Sequence, residues 1–145
     1  MIRIREMQAK DTEEVATLEK GIFSQPWSQK GFMDAINLEN TVFLVAERDG
    51  HVAGYVGMYL SMDEGEITNV AVCAEERGQG IGGILLDELL RIGEQKGITK
   101  IVLEVRVSND SAIRLYERKG FQNVGVRKGL YEFPEEDGFI MIYGQ

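Results

Sequence analysis

The 145-residue sequence has one cysteine, Cys73, one histidine, His51, one tryptophan, Trp27, and only two prolines. A lone cysteine cannot close an internal disulfide, and with a lone histidine it cannot supply a His/Cys ligand cluster for a transition metal, so no metal is expected. There is no internal repeat, low-complexity tract or Pro/Ser-rich linker, and the chain reads as one domain over residues 1–145. Long apolar runs are missing too. The longest, five residues as in 42–46, are far short of the roughly 20 residues that span a bilayer. The N-terminus meets Arg3, Arg5 and Glu6 at once, without an apolar stretch of signal-peptide length, so the expected compartment is the cytoplasm and no membrane partner is expected. Basic residues are in deficit, 16 against 24 acidic ones, for a net charge of −8. No dense basic cluster offsets that balance, so binding to a phosphate backbone runs against the electrostatics and nucleic acid is not an expected partner.

What remains is an ordinary globular composition, 43% hydrophobic and 28% charged, long enough for one core to bury roughly 70% of the unfolded surface. Glycine stands out: 17 residues, about 12% against a usual share of about 7%. Residues 2–6 alternate as a strand. Asp11 stands three residues before Glu14, a capping arrangement, and Val15, Leu18 and Ile22 follow at helical spacing. A second helix is predicted over 28–37. The β-rich runs 41–48 and 51–62 are joined by Asp49-Gly50, a hairpin signal, and a further strand is expected over 66–72. Ile81, Ile84, Leu85, Leu89 and Ile92 then define an amphipathic helix that stops at Gly97. A strand over 100–105, a helix after the capping run 108–111, and strands over 121–126 and 139–143 complete a mixed α/β order, antiparallel strands first and a strand-helix-strand crossover after them.

The glycines concentrate between strand and helix, in Arg77-Gly78-Gln79-Gly80-Ile81-Gly82-Gly83. Without side chains a ligand can approach the backbone, and successive amide N–H groups at a helix N-terminus cradle phosphate oxygens. The pattern points to a pyrophosphate ligand; a tightly packed glycine turn is the plainer alternative. Gly78-x-Gly80-x-x-Gly83, with Glu104 about 20 residues on, also matches the dinucleotide fingerprint. Against that reading, five residues separate the strand from the first glycine, and an antiparallel hairpin precedes the unit where parallel βαβ repeats are required. A nucleoside-triphosphate loop would end in Gly-Lys-Ser/Thr, which this run does not.

The segment Arg77-Gly78-Gln79-Gly80-Ile81-Gly82 resembles the Arg/Gln-x-x-Gly-x-Gly/Ala loop of the GCN5-related N-acetyltransferases, whose order of elements is similar from end to end. Within that superfamily the chain resembles the RimI-type ribosomal-protein-alanine N-acetyltransferases. The likeness lies in Pro26-Trp27-Ser28, the glycine loop, the run from Leu103-Glu104 to Ser108-Asn109, Leu115-Tyr116 to Gly120-Phe121, and Tyr131 with residues 136–141. The resemblance implies an α/β fold with a mixed, mostly antiparallel central sheet, flanking helices and a splayed parallel strand pair. It implies acetyl-CoA as co-substrate, held by Val70, Ala71 and Val72, by Gly78, Gln79, Gly80, Ile81, Gly82 and Gly83, and by Asn109. It further implies Glu104 as general base, Tyr116 as general acid, and a protein N-terminus as acceptor, the N-terminal alanine of a small-subunit ribosomal protein.

The chemistry of these residue types agrees. Acetyl transfer needs a neutral amine, a proton acceptor, a polarised carbonyl and a proton for the departing thiolate. An α-amine titrates near 7.7–8.0, so a carboxylate acting directly or through water suffices as base, and a tyrosine with a reference pKa of about 10 stays protonated to serve as acid. A backbone N–H near Val72 would polarise the carbonyl. Taken alone, Glu104 reads sooner as a solvated strand residue paired with Arg106 or Arg114, and Tyr116, on a face with Ala112 and Leu115, sooner as a core aromatic. Cys73 after an apolar strand reads as a small core residue, and Trp27 as core packing or a wall of the acceptor groove. A lysine side chain or small-molecule amine as acceptor, and a non-catalytic CoA-binding sensor, are the alternatives.

Overall fold

The structure is a computed structural model and describes residues 1–144. Seven strands form one sheet: β1 (Ile2–Glu6), β2 (Thr41–Arg48), β3 (His51–Ser61), β4 (Glu64–Val72), β5 (Lys100–Arg106), β6 (Gln122–Tyr131) and β7 (Glu136–Gly144), in the order β1-β2-β3-β4-β5-β7-β6. Every neighbouring pair is antiparallel except β4 and β5. The helices are α1 (Thr12–Ile22), α2 (Gln29–Ile36), α3 (Ile81–Gln95) and α4 (Asp110–Arg118).

Residues 42–46 are apolar throughout because β2 is buried on both faces. Phe43 and Val45 face α1 and α2 with Val15, Phe32 and Tyr55, while Val42, Leu44 and Ala46 face α3 with Leu85, Leu86 and Leu89. The predicted hairpin at Asp49-Gly50 forms, with both residues at positive φ. The predicted α2 starts as expected, its cap Ser28 accepting from the Gly31 N–H. Three expectations shift. The β3–β4 turn is tighter, with β4 beginning at Glu64, and β6 and β7 extend to Tyr131 and back to Glu136, because each pairs along nearly its full length. Asp11 does not cap α1 with its side chain.

The Asp11 carboxylate instead accepts two hydrogen bonds from Arg5, at 2.8 and 2.9 Å, and one from the Gln8 N–H, while Arg5 also binds Glu47. This knot ties β1, β2 and the start of α1. Burial pushes the Asp11 carboxyl up, but the Arg5 and Gln8 hydrogen bonds outweigh it and hold the group below the usual range. A depressed folded-state pKa contributes stability that is fully present above the ordinary value near 4 and is lost as pH falls through the lowered one. Asp11→Ala is therefore expected to cost about 3 kcal/mol in denaturant melts at pH 7, because it strips a nearly buried Arg5 of one partner. The deficit should shrink as pH drops below about 4; an equal deficit at pH 7 and pH 2.5 would show that Asp11 contributes packing and not charge.

The parallel ladder is short. Glu64, Gly65 and Glu66 pair with Lys100, Ile101 and Val102, and there it ends. The register of β3 against β4 slips at this level: Gly57 lies opposite Asn69 and Met58 opposite Ile67, leaving Thr68 without a partner. Such a bulge bends its strand and increases the local twist. The sheet therefore opens into a fork, with 67–72 of β4 on one side and 103–106 of β5 on the other.

Candidate functional site

The fork holds a cavity of about 610 Å³. Thr68, Asn69 and Val70 line it from β4, Leu103 to Arg106 from β5, Tyr116 from α4, and Glu19 from α1. Ile22 to Gln25 and Trp27 close one rim, and Tyr131, Phe133, Pro134 and Glu136 of the β6–β7 hairpin close the other. The Ser24 hydroxyl donates to the Glu132 carbonyl and joins the two rims.

Glu104 and Tyr116, proposed from sequence, both face this cavity. Glu104 pairs with neither Arg106 nor Arg114; Arg127 of β6 donates to its Oε2 at 2.7 Å. Tyr116 is buried at 7% exposure, and burial first, then Tyr131, pushes its phenol above the ordinary value. Its hydroxyl has no hydrogen-bond partner among the described residues and is not sealed from solvent: it opens on the cavity. It stays a protonated donor with its hydrogen uncommitted.

At the end of the fork, Gly78 and Gly80 take φ of 82° and 78°, a conformation that side chains disfavour, and Gly80 caps α3. The first helical main-chain bond runs from the Ile84 N–H to the Gly80 carbonyl, so the amides of 78–83 have no main-chain partner among the described residues. A Cβ on Gly82 would lie 3.1 Å from the Leu115 side chain, tighter than ordinary van der Waals contact. The Gln79 side chain is taken by Arg48, which leaves this residue its amide to offer. The amide cradle, the dipole of a 15-residue helix and the unpaired edge of β4 fit a pyrophosphate joined to an extended, amide-bearing arm. Val70 and Asn109 also line the cavity, with Asn109 capping α4 through the Ala112 N–H. Ala71 is buried against the α1 and α2 side, so only its main chain faces the fork's edge, as for Val72.

Four residues of the site were given no role by the sequence reading. Glu19, 3% exposed, accepts from the Tyr55 hydroxyl at 2.9 Å, the Trp27 N–H at 3.0 Å and, at 3.4 Å, the Asn69 amide. Burial and the Glu19 carboxylate raise the Tyr55 phenol, which keeps it a donor. The available signal was a carboxylate four residues after Val15, inside the apolar stripe of α1. Asn69 belongs to the bulge, which nothing in the local sequence marks. Tyr131 and Arg127 lie beyond 126, where the sequence placed the end of β6. Tyr131 is held by the Arg106 guanidinium, 4.5 Å from its ring centroid. Arg106 in turn donates to the Glu132 and Pro134 carbonyls and to Glu136. Trp27 serves both readings, packing on Phe32, Phe43 and Tyr59 while lining the cavity. Cys73 is half-buried rather than core; it lines a separate hollow of about 370 Å³ with Glu14 and His51, and burial and Glu75 push its thiol up.

Residues 12–121 match the Acetyltransferase (GNAT) family. A Bacillus subtilis protein provisionally named a [ribosomal protein bS18]-alanine N-acetyltransferase is 39% identical over 140 residues, 95% of this chain and 92% of its own length. The Escherichia coli [ribosomal protein bS18]-alanine N-acetyltransferase is 31% identical over 143 residues, 97% of this chain and 96% of its own. A crystal structure of the Escherichia coli ribosomal-protein-S18-alanine N-acetyltransferase superposes with a TM-score of 0.92, covering 99% of this chain and 94% of that one at 30% identity. Arabidopsis thaliana NAA60, crystallised with acetyl-CoA, shares the fold at a TM-score of 0.88 and 21% identity, over 99% and 98% of the two chains.

Proposed function

The chain belongs to the acetyltransferase (GNAT) family, and from that premise we propose that it transfers acetyl from acetyl-CoA to the α-amine of a protein N-terminus, the N-terminal alanine of a small-subunit ribosomal protein. The observation that carries this reading is the meeting of an ionisable carboxylate, Glu104, and an uncommitted phenolic donor, Tyr116, in one cavity at the fork of the sheet.

The residues divide the work. The amides of 78–83 hold the pyrophosphate, and the free edge of β4 over 67–72 pairs with the pantetheine arm, which brings the thioester to the fork. A main-chain N–H of β4 near Val72 polarises the carbonyl. The amine nitrogen forms its bond to the acetyl carbon, its proton passes to Glu104 directly or through water, and the carbon–sulfur bond breaks as Tyr116 gives its proton to the thiolate sulfur. Holding amine and thioester in register supplies much of the acceleration. Cys73 takes no part: it lines another hollow, and its raised thiol is a poor nucleophile.

The cavity wall carries three carboxylates, Glu19, Glu104 and Glu136, against one cation, Arg106, in a chain of net charge −8. That suits the basic leading segment of a ribosomal protein. Incubation with acetyl-CoA and two peptides tests the reading by intact mass: one peptide has a free N-terminal alanine, the other a blocked N-terminus and internal lysines. One acetyl added to the first alone is the expected result. Addition only to the second would move the acceptor to lysine, and addition to neither, with CoA bound, would favour a small-molecule amine or a sensor.

A further inference from the structure

We propose that Arg127 is a positioning residue for Glu104, pinning one carboxylate oxygen so that the other is left for the acceptor's proton. The inference rests on the reading of Glu104 as proton acceptor. Arg127 Nη1 donates to Oε2 at 2.7 Å, and no other group among the described residues bonds to the Glu104 carboxylate, so Oε1 has no partner. Glu104 is the more enclosed of the two, its side chain 28% exposed against 59% for Arg127.

The sheet register shows how the contact is built. Arg127 of β6 lies opposite Gly138 of β7, and Gly138 lies opposite Arg106 of β5. These three share a face, and Glu104, two residues before Arg106, shares it too. Arg127 must therefore reach across the whole width of β7. No side chain rises from Gly138 itself, and the space its Cβ would take is filled by Leu130 and Tyr131, which would lie 2.6 and 3.0 Å from it, so a larger residue would displace the side chains of this corner. The nearer arginine on the same face, Arg106, is already committed to Glu136, two carbonyls and the Tyr131 ring. The two arginines have separate tasks: Arg106 fixes the hairpin rim, and Arg127 fixes the carboxylate. A carboxylate at the end of a flexible side chain would otherwise sample several rotamers, and a displacement of about 1 Å at a reacting group can lower a rate by about 100-fold.

An exposed ion pair on an edge strand contributes little to stability, so Arg127 can be removed without unfolding the chain. Steady-state kinetics with acetyl-CoA and whichever of the two peptides the unaltered protein acetylates would compare Arg127→Met, Arg127→Lys, Glu104→Gln and the double variant Arg127→Met/Glu104→Gln, with melting temperatures alongside. The expected result is a loss in kcat of about tenfold for Arg127→Met with both KM values within about twofold, partial recovery in Arg127→Lys, and no further loss when Arg127→Met is added to Glu104→Gln. An unchanged kcat in Arg127→Met while Glu104→Gln is impaired would overturn the inference and leave the reading of Glu104 intact. So would a loss confined to the peptide KM, or an equal further loss in the Glu104→Gln background. An unimpaired Glu104→Gln would instead overturn the reading of Glu104 itself.

Discussion

Glu104→Gln is expected to lower kcat for peptide acetylation by about 10²- to 10⁴-fold while leaving the affinity for CoA within about twofold. The substitution is nearly isosteric, and a Gln carbonyl oxygen still accepts from Arg127, so the β5–β6 contact across the sheet survives. What disappears is the only carboxylate on the β5 wall of the cavity; Leu103, Val105 and Arg106 offer no proton acceptor there. The amide cradle of 78–83 and the edge of β4 lie on the other arm of the fork and do not touch Glu104, which is why binding is spared. Isothermal titration with CoA beside steady-state kinetics separates the two quantities. Raised pH should restore part of the loss, because above the reference range of 7.7–8.0 the α-amine arrives already neutral. A kcat within threefold of the unaltered protein at pH 7 would remove Glu104 from the mechanism.

The glycine loop was legible because its geometry is local: successive amides before a helix need only the right residues in a row. Helix α3 and the apolar run of β2 were legible for a similar reason, since burial on one stripe or on both faces writes its own periodicity. The pairing partner of Glu104 was not. Arg106 and Arg114 were the near candidates in sequence, whereas Arg127 is brought in by the order β5-β7-β6, which puts the last hairpin strand first beside β5. Topology of that kind is a property of non-local pairing and leaves no local trace. The bulge at Thr68 is similar in kind: neither Thr68 nor Asn69 announces it, yet it bends β4 away from β5 and so creates the cavity. Tyr116 stands between these cases. Its place on the buried face of α4 was evident, but that its hydroxyl opens on the fork, unpaired, follows only from how α4 packs against β5 and the hairpin.

Tyr116→Phe is the second large effect expected on turnover, a loss in kcat of about 10²-fold or more with CoA binding retained. Phenylalanine fills the same space against Phe121, whose ring centroid lies 5.8 Å away, so packing is kept and the melting temperature should move little. The hydroxyl makes no hydrogen bond among the described residues, so its removal breaks no structural contact; any large change in rate therefore reports its role toward the departing thiolate. The pH profile gives an independent check. An acid acts only while protonated, so its activity falls as pH rises through its folded-state pKa, and burial raises the Tyr116 phenol above the ordinary value of about 10. The rate should accordingly climb through the titration of the α-amine near pH 8 and hold a plateau to at least pH 10, with no alkaline limb from Tyr116 in that window. A thiol acid or nucleophile at Cys73 would predict a different profile, with activity changing through the thiol range and surviving Tyr116→Phe. A Tyr116→Phe protein with unchanged kcat, or a fall in rate between pH 8 and 9 that the substitution abolishes, would rule out a neutral, buried phenol as the proton donor.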